Sequence, residues 1–142
     1  MARSDADLSA GDYRALAEFR HLIRRFLAFS AKAAREAGLP PQQHQALLSL
    51  KALPPERPPT VSSLAWHLQL RHHSAVGLVD RLTRKGLVRR TPGGQDRRQV
   101  LLSLTPRAEA LLRRLSLQHR EELRRSGPEL FAALRALLKD RR

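Results

Sequence analysis

One hairpin interrupts a chain that otherwise reads as helix, and that interruption narrows the available folds more than any other feature. Apolar residues recur at three- and four-residue spacing through most of the sequence. From Leu87 and Val88 the pattern turns extended and β-branched, reverses at Gly93 and Gly94, and returns through Val100 to Leu104. The returning strand carries the apolar residues that anchor it to a core. Around the reversal the chain reads RRTPGGQDRRQ, with basic residues on both sides of the two glycines. The expected fold class is mainly α with a small β-hairpin.

Residues 1–11 are small and polar and read as a flexible arm. From Asp12 the apolar positions Leu16, Phe19, Ile23, Phe26 and Leu27 keep helical spacing to about Ala37, with Ser9 and Asp12 as start signals and Gly38 and Pro40 as stops. A helix over 12–37 would span roughly 39 Å at ~1.5 Å per residue. A small domain cannot cover that length on every side, so part of it is expected to pack against another subunit. Pro41 suits the first turn of a second helix holding Leu47, Leu48 and Leu50, which ends at the stiff linker PPERPP.

Beyond the linker, Val61, Leu64, Ala65 and Leu68 share one face, and after a break at Gln69 to Arg71 so do Ala75, Leu78, Val79 and Leu82. Gln69 stands where many such turns have glycine. Two short helices followed by a hairpin have the layout of a winged helix-turn-helix, with the motif at about 62–84 and the wing at about 87–105. Burying the second apolar set leaves His72, His73, Ser74, Val76, Gly77, Asp80, Arg81 and Arg84 facing outward. His and Ser bond base edges or phosphates, Val76 suits a thymine methyl, and Arg81 and Arg84 suit phosphates or guanine. An ordinary helical hairpin with a solvated face shows the same periodicity; the wing placed directly after it favours the DNA-binding reading. Solubility and edge protection account for Arg89 and Arg90. They account less well for Asp96, Arg97 and Arg98 together at the tip, because a narrow minor groove attracts guanidinium groups. Pro106 reopens helix along Ala108, Leu111, Leu112 and Leu115, Gly127 and Pro128 read as a break, and a last helix holds Leu130, Phe131, Leu134 and Leu138.

Charge agrees with a polyanionic partner. The formal net charge is +14, and residues 71–107 hold nine of the basic side chains against Asp80 and Asp96. Half the excess positive charge thus falls in about a quarter of the chain. No apolar run approaches the roughly 18 residues needed to cross a bilayer, so no membrane partner is expected. The start MARSDADLSAGDY lacks the layout of a signal peptide, which makes the cytoplasm the expected location. There is no cysteine, hence no disulfide or thiolate site. His67, His72 and His73 do not fall together on one helix face, and His119 with Glu122 is only an i, i+3 pair, so no metal or other cofactor is expected. There is no glycine-rich phosphate loop or nucleophile elbow, and Glu121 and Glu122 point in different directions on a helix. No catalytic residue is therefore assigned and no enzymatic activity is expected.

The runs DRLTRKGLVRR (80–90) and DRRQVLLSLT (96–105) resemble the winged helix-turn-helix of the MarR family of transcriptional regulators. The similarity extends over nearly the whole chain, and its most specific part is the joined pattern of D-R-L, K-G-L-V and the wing's D-x-R. The resemblance implies a single winged-helix domain over 12–142, with 12–37 and 106–142 as dimerisation helices and 41–105 as the DNA-binding lobe. It further implies a homodimer, a recognition helix at about 72–84, and a wing arginine in the minor groove, matched here by Arg98 with Asp96 as its buttress. Relatives often carry a polar or basic reader where this chain has Gly77, and His72 and His73 are unusual at the helix start. Relatives also commonly release DNA when a small aromatic or phenolic compound binds. By that resemblance Phe26, Phe29 and His44 line an effector cleft, although all three also fit core positions.

The expected function is that of a homodimeric repressor of a pseudo-palindromic operator in double-stranded DNA. Two other classes fit parts of the pattern: a non-specific or architectural nucleic-acid-binding protein, for which the charge suffices, and a protein-interaction module whose winged fold no longer binds DNA.

Overall fold

The computed structural model describes residues 7–93, 96 and 98–139. Its elements run α1 (Ala10–Glu36), α2 (Pro41–Ala52), α3 (Val61–Leu68), α4 (His72–Arg84), β1 (Val88–Pro92), β2 (Val100–Leu104) and α5 (Pro106–Leu138). They form two compact units: one from Lys32 to Leu117, the other from the chain ends, up to Ala31 and from Gln118 onward.

Local chemistry fixes most boundaries. Ser9 and Asp12 start α1 reciprocally: the Asp12 N–H donates to Ser9 Oγ at 3.2 Å and the Ser9 N–H to Asp12 Oδ2 at 2.7 Å. Pro41 opens α2, and Leu53, held extended ahead of Pro54, closes it. Thr60 caps α3 by accepting the Ser63 N–H at 3.2 Å.

Three helices end in the same way. Gly38, Gln69 and Gly86 each adopt positive φ after α1, α3 and α4. The next residue, always leucine, sends its N–H back to the last turn: Leu39 to Ala34, Leu70 to Ala65 and Leu87 to Leu82, at 2.9, 2.9 and 3.0 Å. Leu39 and Leu87 are buried, so each closure also seats an apolar anchor. Gln69 is the one described residue other than glycine in this conformation, at φ 56° and ψ 43°. Left-handed backbone costs a side-chain-bearing residue ~1–2 kcal/mol, whereas glycine's extra freedom in the unfolded chain costs ~0.4–1 kcal/mol. Gln69→Gly is therefore expected to raise stability by up to about 1 kcal/mol. The check is a higher urea midpoint with an unchanged slope.

The core of the Lys32–Leu117 unit gathers Leu47, Leu64, Leu78, Val79, Leu82, Leu87, Leu102 and Leu115 with the last turn of α1 at Ala33 and Ala34. Strands β1 and β2 pair antiparallel from Val88↔Leu104 to Pro92↔Val100. Only the base of the hairpin enters the core. Val88 and Leu102 are buried and Leu104 is half-buried, while Val100 is exposed, so the anchor of the returning strand is shorter than the sequence suggested. A further bond, Leu102 N–H to the Pro59 carbonyl at 2.7 Å, ties β2 to the approach of α3.

Helix α5 departs from the expected break. It runs without interruption through Gly127 and Pro128. Proline's fixed φ is compatible with helix; inside one it removes a backbone hydrogen bond, crowds the carbonyl four residues earlier and constrains the residue just before it, and only the last of these depends on that residue's side chain. That preceding residue is Gly127, which has no Cβ to meet the proline ring, so the usual constraint ahead of proline is relaxed and the apolar positions on both sides stay in one helix.

In the terminal unit, Phe26 and Phe29 of α1 meet the His119 ring edge-on, with centroids 5.9 and 5.5 Å away, and His119 Nε2 lies 2.7 Å from Ser30 Oγ. The same unit leaves Tyr13, Leu16, Leu27, Phe131 and Leu138 exposed, Phe131 at 64% and Leu138 at 73%. Among the described residues no helix is long and apolar enough to cross a membrane.

Candidate nucleic-acid interface

Helix α4 divides its residues as its periodicity demands. Ala75, Leu78, Val79 and Leu82 are buried against α2 and α3, which turns His72, His73, Ser74, Arg81 and Arg84 to the exposed side and leaves Val76, Gly77 and Asp80 half-buried. The outward set is thus one continuous face. Its first turn has no side-chain cap, since Arg71 occupies the N-cap position.

The hairpin extends that face. Arg89, Arg90 and Thr91 are exposed along β1, and Asp96 and Arg98 are exposed at the turn. Arg97 lies outside the described residues, as does Gly94. Asp96 acts on Arg98 through the backbone: its Oδ1 accepts the Arg98 N–H at 3.0 Å, while its carbonyl accepts the Gln99 N–H at 3.0 Å. It therefore fixes the direction in which the chain leaves the turn at Arg98.

Gly93 is required for space. A Cβ there would fall 2.6 Å from the Asp96 carbonyl oxygen and 2.9 Å from that of Gln99. Gly93→Ala is expected to destabilise the protein by roughly 1–3 kcal/mol, the usual range for overpacking, with equilibrium urea unfolding as the check. A wild-type midpoint would mean that the turn tolerates a side chain.

One pairing joins helix and wing. Arg90 of β1 donates to Asp80 of α4 in an ion pair. The pair engages Asp80, the one carboxylate of α4. Two other cations from the basic stretch are used internally: Lys85 Nζ donates to Gln43 Oε1 at 2.7 Å, and Arg107 donates to the Lys85 carbonyl at 2.9 Å. The sequence could not separate these from the rest, because each partner lies far along the chain. A groove of about 670 Å³ bordered by Thr83, Arg89, Arg90 and Arg107 continues the basic surface beside β1. The Lys32–Leu117 unit holds fifteen Lys and Arg against five Asp and Glu, which leaves a net +10 of the chain's +14 on it.

The residues suggested for an effector cleft fall in different places. Phe26 and Phe29 are engaged with His119 in the terminal unit, where the cavity touching Phe26 holds about 20 Å³, enough for a water molecule and not for an aromatic ring. His44 is buried on α2 in the other unit. A larger groove, about 440 Å³, lies between α2 and α5 beside Leu48, Lys51, Glu109, Leu112, Arg113 and Ser116. Of the remaining histidines, His67 Nδ1 lies 2.7 Å from Ser49 Oγ. Trp66 is exposed, with the Arg57 guanidinium stacked 3.4 Å over its ring, a contact that fastens the PPERPP linker to α3.

A helix pair closed by a left-handed turn, an outward basic face on its second helix and a two-stranded hairpin directly after it define a winged helix-turn-helix protein. Residues 37–99, from just after α1 to just before β2, match a family model described as MarR family. The chain as a whole is similar in fold to solved MarR family regulators. A crystal structure of a MarR family transcription regulator superposes with a TM-score of 0.73 at 24% identity, covering 89% of this chain and 85% of that one. A variant of S. aureus MepR bound to an oligodeoxyribonucleotide gives 0.66 at 20% identity over 93% and 97%. A mutant MarR from E. coli complexed with operator DNA gives 0.62 at 20% identity over 84% and 90%. No curated protein matches the sequence.

Proposed function

We propose that this protein is a homodimeric, sequence-specific DNA-binding repressor of the MarR type. The observation that carries the reading is the single basic face formed by the outward side of α4 and the wing, braced by the Asp80–Arg90 pair. In this reading α4 enters the major groove, with His72, His73, Ser74, Val76, Gly77, Arg81 and Arg84 toward the bases and phosphates, and Arg97 and Arg98 reach the adjacent minor groove. Solved relatives bound to an oligodeoxyribonucleotide and to operator DNA support it.

The exposed apolar residues of the terminal unit support a homodimer, since a monomer would leave them in water. A two-fold dimer would read half-sites about one helical turn, roughly 34 Å, apart. A small aromatic effector is better served by the groove between α2 and α5 than by Phe26, Phe29 and His44, because its volume falls within the ~300–1,000 Å³ of small-molecule sites. Release would require the effector to favour a conformation that spaces the two recognition helices wrongly.

The test is selection from a randomised duplex library followed by footprinting. The selected palindrome is expected to bind at least ~10³-fold more tightly than scrambled duplex at physiological salt. Equal affinity for both would leave only the non-specific or architectural role.

A further inference from the structure

Gly77 lies mid-helix on the outward face of α4, where glycine weakens a helix relative to alanine. Its backbone gives no reason for it, since the described glycines with positive φ are Gly38 and Gly86. The reason lies in Arg81. A Cβ on Gly77 would stand 3.5 Å from one terminal nitrogen of the Arg81 guanidinium and 3.9 Å from the other, and apart from the adjoining helix itself nothing else comes within 4 Å. Arg81 leans back one turn toward the helix start, the direction helical side chains take, and its guanidinium rests over bare backbone. Asp80, the adjacent carboxylate, is occupied by Arg90, and none of the ion pairs among the described residues involves Arg81.

We propose that Gly77 and Arg81 form one base-reading unit. The notch at Gly77 sets the Arg81 guanidinium at the centre of the major-groove face as a fork for O6 and N7 of a guanine, and that guanine, once in each half-site, is the main sequence determinant. Gly77 is the positioning residue and Arg81 the reader. Arginine suits the task because its planar fork matches two acceptors at once, whereas lysine offers a point charge. The proposal rests on the DNA-binding reading above.

The experiment selects duplexes with the full-length protein and then measures competition against single-base variants of the selected site. Wild type is expected to prefer guanine at one symmetric pair of positions by roughly tenfold or more. Arg81→Lys, which keeps the charge, should lose that preference while still binding. Gly77→Ala adds a Cβ at ordinary contact distance, so it should keep the preference and raise the melting temperature. Gly77→Gln places a side chain where the guanidinium rests and should lose the preference while the fold, read by circular dichroism, persists. Retention of the guanine preference in Arg81→Lys, or an unchanged base profile in Gly77→Gln, overturns the proposal. Failure of wild type to select any duplex overturns the DNA-binding reading itself.

Discussion

Arg98→Ala is expected to weaken operator binding about a hundredfold while leaving the dimer intact. A hydrogen bond to a charged group contributes ~1.5–3 kcal/mol, and at the lower end of that range each wing accounts for about tenfold. The two wings of a dimer are far enough apart for their losses to add. Arg98 is exposed at the hairpin turn, in a different unit from the exposed apolar residues of the terminal helices, so subunit association has no reason to change. Because the Asp96 carboxylate holds the Arg98 backbone N–H, Asp96→Asn keeps an acceptor in place and should lose far less affinity than Asp96→Ala. Gel shifts at moderate salt, paired with light scattering, read both quantities. An unchanged midpoint for Arg98→Ala would remove the wing from the interface.

The second large effect is expected at the other end of the chain. Leu16→Glu combined with Phe131→Glu should convert the protein to a folded monomer and abolish palindrome binding with it. Both side chains are already exposed within one chain, so the substitutions add little cost to folding. At a subunit interface they would place unpaired carboxylates against apolar surface, which costs several kcal/mol per ion. Two half-sites bound by one dimer gain from linkage, and a monomer forfeits that gain. Sedimentation should show the mass halve while the helical circular dichroism stays. A dimer of wild-type affinity would place the interface elsewhere, and deletion of residues 1–30 offers an independent route to the same question.

The parts of this fold that were legible in the sequence are those set by neighbours a few residues apart. Ala75, Leu78, Val79 and Leu82 declare the buried side of α4 through their spacing, and the outward residues follow by exclusion. Gly38, Gly86 and Pro41 mark helix ends because their backbone preferences are local. The break expected at Gly127 and Pro128 does not occur: each residue alone disfavours helix, yet in this order the glycine eases the constraint that proline puts on the residue before it. Long-range pairings were not legible. Nothing in the spacing of Asp80 and Arg90 tells a solvated arginine from a brace, and the roles of Lys85 and Arg107 depend on Gln43 and on a helix exit that only folding brings near. Gly77 was conspicuous as an oddity, but its meaning required the position of the Arg81 guanidinium.

Thr105 joins three pieces of backbone with two groups. Its N–H donates to the Leu87 carbonyl at 3.0 Å, its hydroxyl donates to the Gly86 carbonyl at 2.8 Å, and the same oxygen accepts the Ala108 N–H at 3.3 Å as α5 begins. The exit of α4, the end of β2 and the first turn of α5 are thereby pinned at one point, so a tilt of that turn must carry hairpin and helix along as a single rigid jaw. Thr105→Val, which removes the hydroxyl bonded to both the Gly86 carbonyl and the Ala108 N–H, is expected to loosen this corner while leaving the outward residues of α4 and the hairpin tip unchanged.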